Sequence, residues 1–191
     1  MVRRTFGAVG AFAAVVALGG TATAGAVGGA ALGPEGYRTL QLGQSEQQAV
    51  ATGLLVDRQQ PGDCVFYRLR SDEGQANPGS GVFIDPRLGV VMIGGTDRIR
   101  TPGGIGYGST LAEVRAAHPD LEPEGPTGFV HEADVPGHHA NEYRFAFGPD
   151  DRVTDFGLEG PELGVCDSDD DPDTADVDLH DIDTDDLHDD D

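Results

Sequence analysis

The chain has 191 residues, is 38% hydrophobic, contains no Trp and carries a formal charge of -22 at pH 7. That size suits one domain, or two small halves around a shared core. All 12 basic residues are Arg, which excludes a Schiff-base lysine, a phosphate-loop lysine and a Ser–Lys dyad. The acidity argues against nucleic acid or an anionic membrane as partner and suits a cationic partner or divalent cations.

Residues 1–24 have the layout of an export signal. Arg3 and Arg4 open it, Gly7–Leu18 is a short apolar run, and Ala22-Thr23-Ala24 is a small-x-small cleavage site. The apolar run is too short to span a bilayer comfortably. A secreted chain with no membrane attachment after cleavage is therefore expected. Residues 25–36, rich in Gly and Ala, read as a flexible lead-in.

Residues 37–166 read as the folded domain. At Leu40–Gly53 the string is L-Q-L-G-Q-S-E-Q-Q-A-V-A-T-G. Ser45 stands at a helix N-cap with Gln48 three residues later, so hydroxyl and amide satisfy two free backbone N–H groups reciprocally. The expected helix is Glu46–Thr52, stopped by Gly53. Leu54-Leu55-Val56 is a short apolar run, a strand or a further helical turn. Cys64–Arg70, C-V-F-Y-R-L-R, is rich in β-formers and predicts a strand. Ser71–Ser80 reads as a loop, and Gly81–Asp85 with Gly89–Ile93 as a hairpin.

The capping pattern returns at Gly104–Pro119, G-I-G-Y-G-S-T-L-A-E-V-R-A-A-H-P. Gly108, Thr110, Glu113 and Val114 align with Gly43, Ser45, Gln48 and Ala49. Thr110 and Glu113 form a second capping pair, and Pro119 ends the helix. Asp120–Gly128 reads as a loop and Phe129–Val135 as a strand. Asn141–Phe147 alternates, with Tyr143, Phe145 and Phe147 on one face, and Arg152–Leu158 returns after a Gly-Pro-Asp-Asp turn. The expectation is an α+β fold: two similar helix-then-antiparallel-strand halves, 37–95 and 104–166, sharing a core.

Two cysteines in an exported chain predict a disulfide, Cys64–Cys166. Asp167–Asp191 holds 14 Asp in 25 residues, cannot bury enough apolar surface to fold, and is expected to be disordered.

Candidate chemistry is sparse. Asp181, Asp183 and Asp185 have the D-x-D-x-D spacing of a calcium loop's first half, but Asp186 replaces the turn glycine, so only weak calcium association through charge density is expected. His131, Asp134, His138 and His139 gather around Val135-Pro136-Gly137. His131 and His138 are the metal candidates there, although the spacing matches no zinc motif and a solvated hairpin loop explains it. Ser45 and Thr110 lie outside G-x-S-x-G, and Gly103–Gly108 lacks G-x-G-x-x-G. No catalytic acid pair stands out among the acids of the domain.

The two capped strings resemble the repeat opening of the β-lactamase inhibitor protein class, and are similar to that of the small lipoprotein of the outer-membrane assembly machine. The resemblance implies a secreted, non-catalytic α+β module that binds another protein. The expected function is thus an interaction module for an unknown extracellular protein, without a cofactor. The alternatives are a secreted hydrolase with a site near the His131–His139 loop, and a cation-binding protein acting through the tail.

Overall fold

A computed structural model describes residues 30–161 and Cys166. The expected export signal, residues 25–29 of the lead-in and the Asp-rich tail, with Asp181, Asp183 and Asp185, lie outside these residues.

Among the described residues ten strands and two helices follow one another. β1 (Gly36–Tyr37) and β2 (Leu40–Gln41) form a small ladder, and α1 is Glu46–Ala51. Then come β3 (Leu55–Gln59), β4 (Val65–Leu69), a 3-10 turn at Ser71–Glu73, β5 (Val82–Asp85) and β6 (Gly89–Gly94). After α2 (Leu111–Ala117) come β7 (Glu122–Glu124), β8 (Val130–Val135), β9 (His138–Phe147) and β10 (Val153–Glu159). All the strands from β3 onward join one eight-stranded antiparallel sheet in the order β3-β4-β5-β6-β10-β9-β8-β7.

This corrects the α+β expectation of helix-then-strand halves. The chain is mainly antiparallel sheet. The helices are six and seven residues long, under two turns each, and too short to make a layer. Local capping makes them conspicuous in the sequence without making them the architecture. Both capping boxes are formed: Ser45 accepts from the Gln48 backbone and Thr110 from the Glu113 backbone, with each N3 side chain reaching back. The same corrections apply locally. The expected His131–His139 loop is the facing ends of β8 and β9, leaving Pro136-Gly137 to make the turn. The expected Asp120–Gly128 loop contains β7. Of the two readings of Leu54–Val56, the strand is the one that forms, with Leu55 and Val56 opening β3.

Strand alternation sorts the sheet into two faces. Tyr143, Phe145 and Phe147 of β9 and Phe156 and Leu158 of β10 join Val82, Ile84 and Ile93 in one apolar cluster. Ala49 of α1 and Val114 of α2 belong to the same cluster, so both helices cover this face. On the opposite face Phe66 and Met92 are buried outside that cluster. Phe66 packs edge-on against Phe83 at 5.0 Å between ring centroids. The Met92 Cε lies 3.1 Å from where a Cβ would sit on Gly157, so a side chain there would force Met92 to move.

Cys64 and Cys166 form a disulfide across 102 positions, with Cα atoms 5.5 Å apart. The sheet's outer edges are irregular. β3 shifts register between Val56 and Gln59, where Asp57 has φ 56°. At the other end β7 is three residues long and centred on Pro123.

Candidate functional site

The face away from the helices holds a groove of about 250 Å³ between β5, β6, β9 and β10, with Cys166 at its rim. Its position follows from the strand period. On β9 the inward Tyr143 and Phe145 leave Glu142 and Arg144 facing out. On β10 the inward Phe156 and Leu158 leave Asp155, Gly157 and Glu159 facing out. Register then sets the neighbours: Glu159 pairs directly with Met92 of β6 on one side and Glu142 of β9 on the other. Phe83, opposite Met92, extends the apolar part of the floor.

Glu159 is the unusual group. It is 5% exposed, and its Oε1 has no hydrogen-bond partner among the described residues. Arg144 Nε is 3.7 Å from that oxygen, beyond hydrogen-bond reach, and stands closer to Glu124, at 3.2 Å. Asp155 accepts from the Tyr107 hydroxyl at 2.8 Å. Three carboxyls line the groove with one guanidinium, and the most buried of them is left without a donor. Burial pushes the Glu159 carboxyl up to about 8; Arg144 opposes this, while Glu132, Glu124 and Glu142 reinforce it. Glu132, half-buried on β8, is raised for similar reasons: burial first, then Glu124 and Glu142.

Glu73 provides the contrast. It is 6% exposed, but the Tyr37 hydroxyl donates to it at 2.6 Å and Arg38 lies 3.0 Å away. A buried carboxylate with two donors is a structural tie between the β1–β2 ladder and the 3-10 turn. Glu159 has the same burial without the donors. A buried carboxyl displaced well above its ordinary value in a concave site is a candidate functional group.

A larger groove, about 640 Å³, lies beside β3, β4 and the 71–80 loop and is lined by Arg68, Arg70, Asp57 and Asp72. Arg70 and Asp72 pair at 3.1 Å. No unpartnered buried side-chain atom is found among its lining residues, so it lacks the feature that singles out Glu159.

The residues singled out in the sequence fall elsewhere. Ser45, Gln48, Thr110 and Glu113 complete caps. His131 is buried on the helix-covered face, its ring edge-on to Phe147 at 5.1 Å, and its Nδ1 has no partner. His138 starts β9 beside Pro34 and Arg38. His139 binds Asp134 at 3.0 Å in an exposed pair. The structure does not bring His131 and His138 into a ligand set: among the described residues no three His, Cys, Asp or Glu side chains are placed to hold a metal. A second buried histidine escaped sequence reading. His118, the C-cap of α2, packs against Tyr143 and Phe145 with neither ring nitrogen hydrogen-bonded. Burial lowers the pKa of both His118 and His131.

Glu159 and Arg144 were missed because each is one ordinary acid or base in a polar-rich stretch. The only sequence signal was the out-facing phase set by Phe156 and Leu158. Among the described residues no helix is long and apolar enough to cross a membrane. The sequence matches no family model and no curated protein. The crystal structure of the uncharacterized protein yfeY from Escherichia coli is similar over 68% of this chain and 96% of its own, with 15% identity and a TM-score of 0.38. A likeness at that level carries no argument about fold or function.

Proposed function

We propose that this protein is a secreted, non-catalytic interaction module that binds another extracellular protein on the sheet face opposite its helices. The observation that carries the reading is Glu159, a buried carboxyl with an unpartnered oxygen in a groove on that face. A group left unsatisfied inside a folded domain costs stability, and a site completed by a partner gives it a use. The disulfide fits an oxidising compartment, and the export-type N-terminus supports the same destination. The hydrolase reading gains no support from His131, which faces the apolar cluster.

The experiment compares three disulfide-bonded chains immobilised against extracellular extract. They are the wild type, Glu132→Arg/Glu142→Arg on the sheet face, and Gln47→Arg/Val50→Arg on the exposed side of α1. Circular dichroism checks that each is folded. A protein held by the wild type and the helix variant, and lost by the sheet-face variant, is the expected result. Equal retention by all three, or retention by none, overturns the reading.

A further inference from the structure

We infer that the Glu159 groove takes a cationic side chain of the partner, an arginine or lysine, whose charged head docks on the free Glu159 oxygen while its aliphatic stem lies along Met92 and Phe83. The inference rests on the interaction reading above and names the chemistry of the contact.

Three observations converge. The first is the pairing of the charged groups around the groove. Arg144 sits nearer Glu124 and the Tyr107 hydroxyl serves Asp155, so neither donates a hydrogen bond to Glu159, and Arg144 offers it only a long ion pair at 3.7 Å. Among the described residues one acceptor is left without a hydrogen bond, in a side chain more than nine-tenths buried. The second is the sign of the surroundings. Glu124, Glu132, Glu142 and Asp155 all lie on the strands around Glu159, against the single guanidinium of Arg144. Glu142 stands directly across from Glu159, a like-charge pair that repels once both are ionised. An incoming cation relieves that repulsion, and an anion would aggravate it. The third is shape. Met92 and Phe83 give the groove an apolar floor beside its acid, which matches the amphipathic build of Arg and Lys. No metal-holding group is present here among the described residues, so an organic cation fits the donor set better than an ion does. This chain has no lysine of its own.

Binding a cation favours the ionised form of Glu159, and that carboxyl is held up to about 8 when the groove is empty. Affinity is therefore expected to rise with pH towards 8.

The test is a titration of the ¹⁵N-labelled, disulfide-bonded full chain with acetyl-Gly-Arg-Gly-amide up to about 10 mM, a range suited to a single side-chain contact. It is repeated with the neutral citrulline analogue and with Glu159→Gln, each at pH 6 and pH 8.5. The expected result is amide shifts at Phe83, Met92, Arg144 and residue 159, stronger at pH 8.5 and absent with citrulline. At least a tenfold weakening in Glu159→Gln, with loss of the pH dependence, completes it. Equal affinity in Glu159→Gln overturns the inference. So do shifts confined to the Asp-rich residues 167–191, or none in the groove. The capture experiment separates the two claims. If Glu159→Gln still holds the captured protein while Glu132→Arg/Glu142→Arg loses it, the cation inference falls and the interaction reading stands. If no chain holds a partner, the interaction reading falls whatever the peptide does.

Discussion

Replacing Glu159 by Gln removes a carboxyl that the fold holds in its neutral form. An unfolded Glu titrates near 4.5, whereas the folded one is raised to about 8. Below pH 4.5 both states keep the proton and the group is neutral towards stability. Between those values the unfolded chain releases the proton and the folded chain retains it, so stability falls by about 1.4 kcal/mol per pH unit. The loss is about 3 kcal/mol by pH 7 and about 5 kcal/mol above pH 8, as an order of magnitude. Gln carries no such penalty. Urea midpoints for wild type and Glu159→Gln at half-unit steps from pH 4 to 9, with the disulfide intact, give the difference directly. Subtracting one series from the other cancels the other titrating groups and leaves any packing cost of the amide as a constant offset. The variant is expected to gain on the wild type steadily from pH 4.5 to 8 and then level off. A difference that stays flat across that range refutes the reasoning: Glu159 would then be ionised in the fold and paired with Arg144.

Three further outcomes follow from the same physics. His118 and His131 are buried neutral, so below pH 6.5 the unfolded chain takes up protons that the folded one does not. Their contribution is present above pH 6.5 and lost as pH falls, by up to about 1.4 kcal/mol per pH unit for each. His118→Phe, compared with wild type by urea melts at pH 5 and 7, is expected to show a shallower loss, and an equal loss would count against it. Ser45→Ala and Thr110→Ala each remove a formed cap and are expected to cost about 1 kcal/mol. The two effects should add in the double variant, because the caps share no partner; no shift in midpoint would show that the caps are idle. Cys64→Ser/Cys166→Ser opens a closure of 102 positions and is expected to cost about 4–5 kcal/mol in the chain-entropy model, read as a lower thermal midpoint; an unchanged midpoint would remove the bridge from the list of stabilising elements.

What could be read in the sequence was what local chemistry decides. A cap is settled within four residues, so Ser45–Gln48 and Thr110–Glu113 were legible and are formed. Central strands such as β4, β5 and β6 were legible because burial makes them apolar. β7 reads Glu-Pro-Glu and the start of β9 reads His-His-Ala-Asn-Glu. Those segments keep a polar side towards solvent and pair through backbone groups, which no side-chain pattern reports. Overweighting the caps and underweighting such strands produced the α+β expectation in place of a sheet-dominated fold. The groove was further out of reach. It exists because β10 meets β6 in one register and β9 in another, placing Glu159 between Met92 and Glu142. Those partners lie 67 and 17 positions away, and nothing near Glu159 in the chain announces either.

The two ends of the sheet decide how this protein can associate. An open sheet edge is a template on which another chain's strand can be added. Here Asp57, turned to φ 56°, breaks the outer line of β3, and β7 presents three residues centred on a proline with no N–H to give. Neither rim offers a continuous run of free donors and acceptors. Growth into oligomers or fibrils by strand addition is thereby discouraged at both ends, and a sheet of eight strands can stay finite. On the interaction reading proposed above, recognition is left to side chains on a face, where shape and charge discriminate between partners in a way that backbone pairing does not.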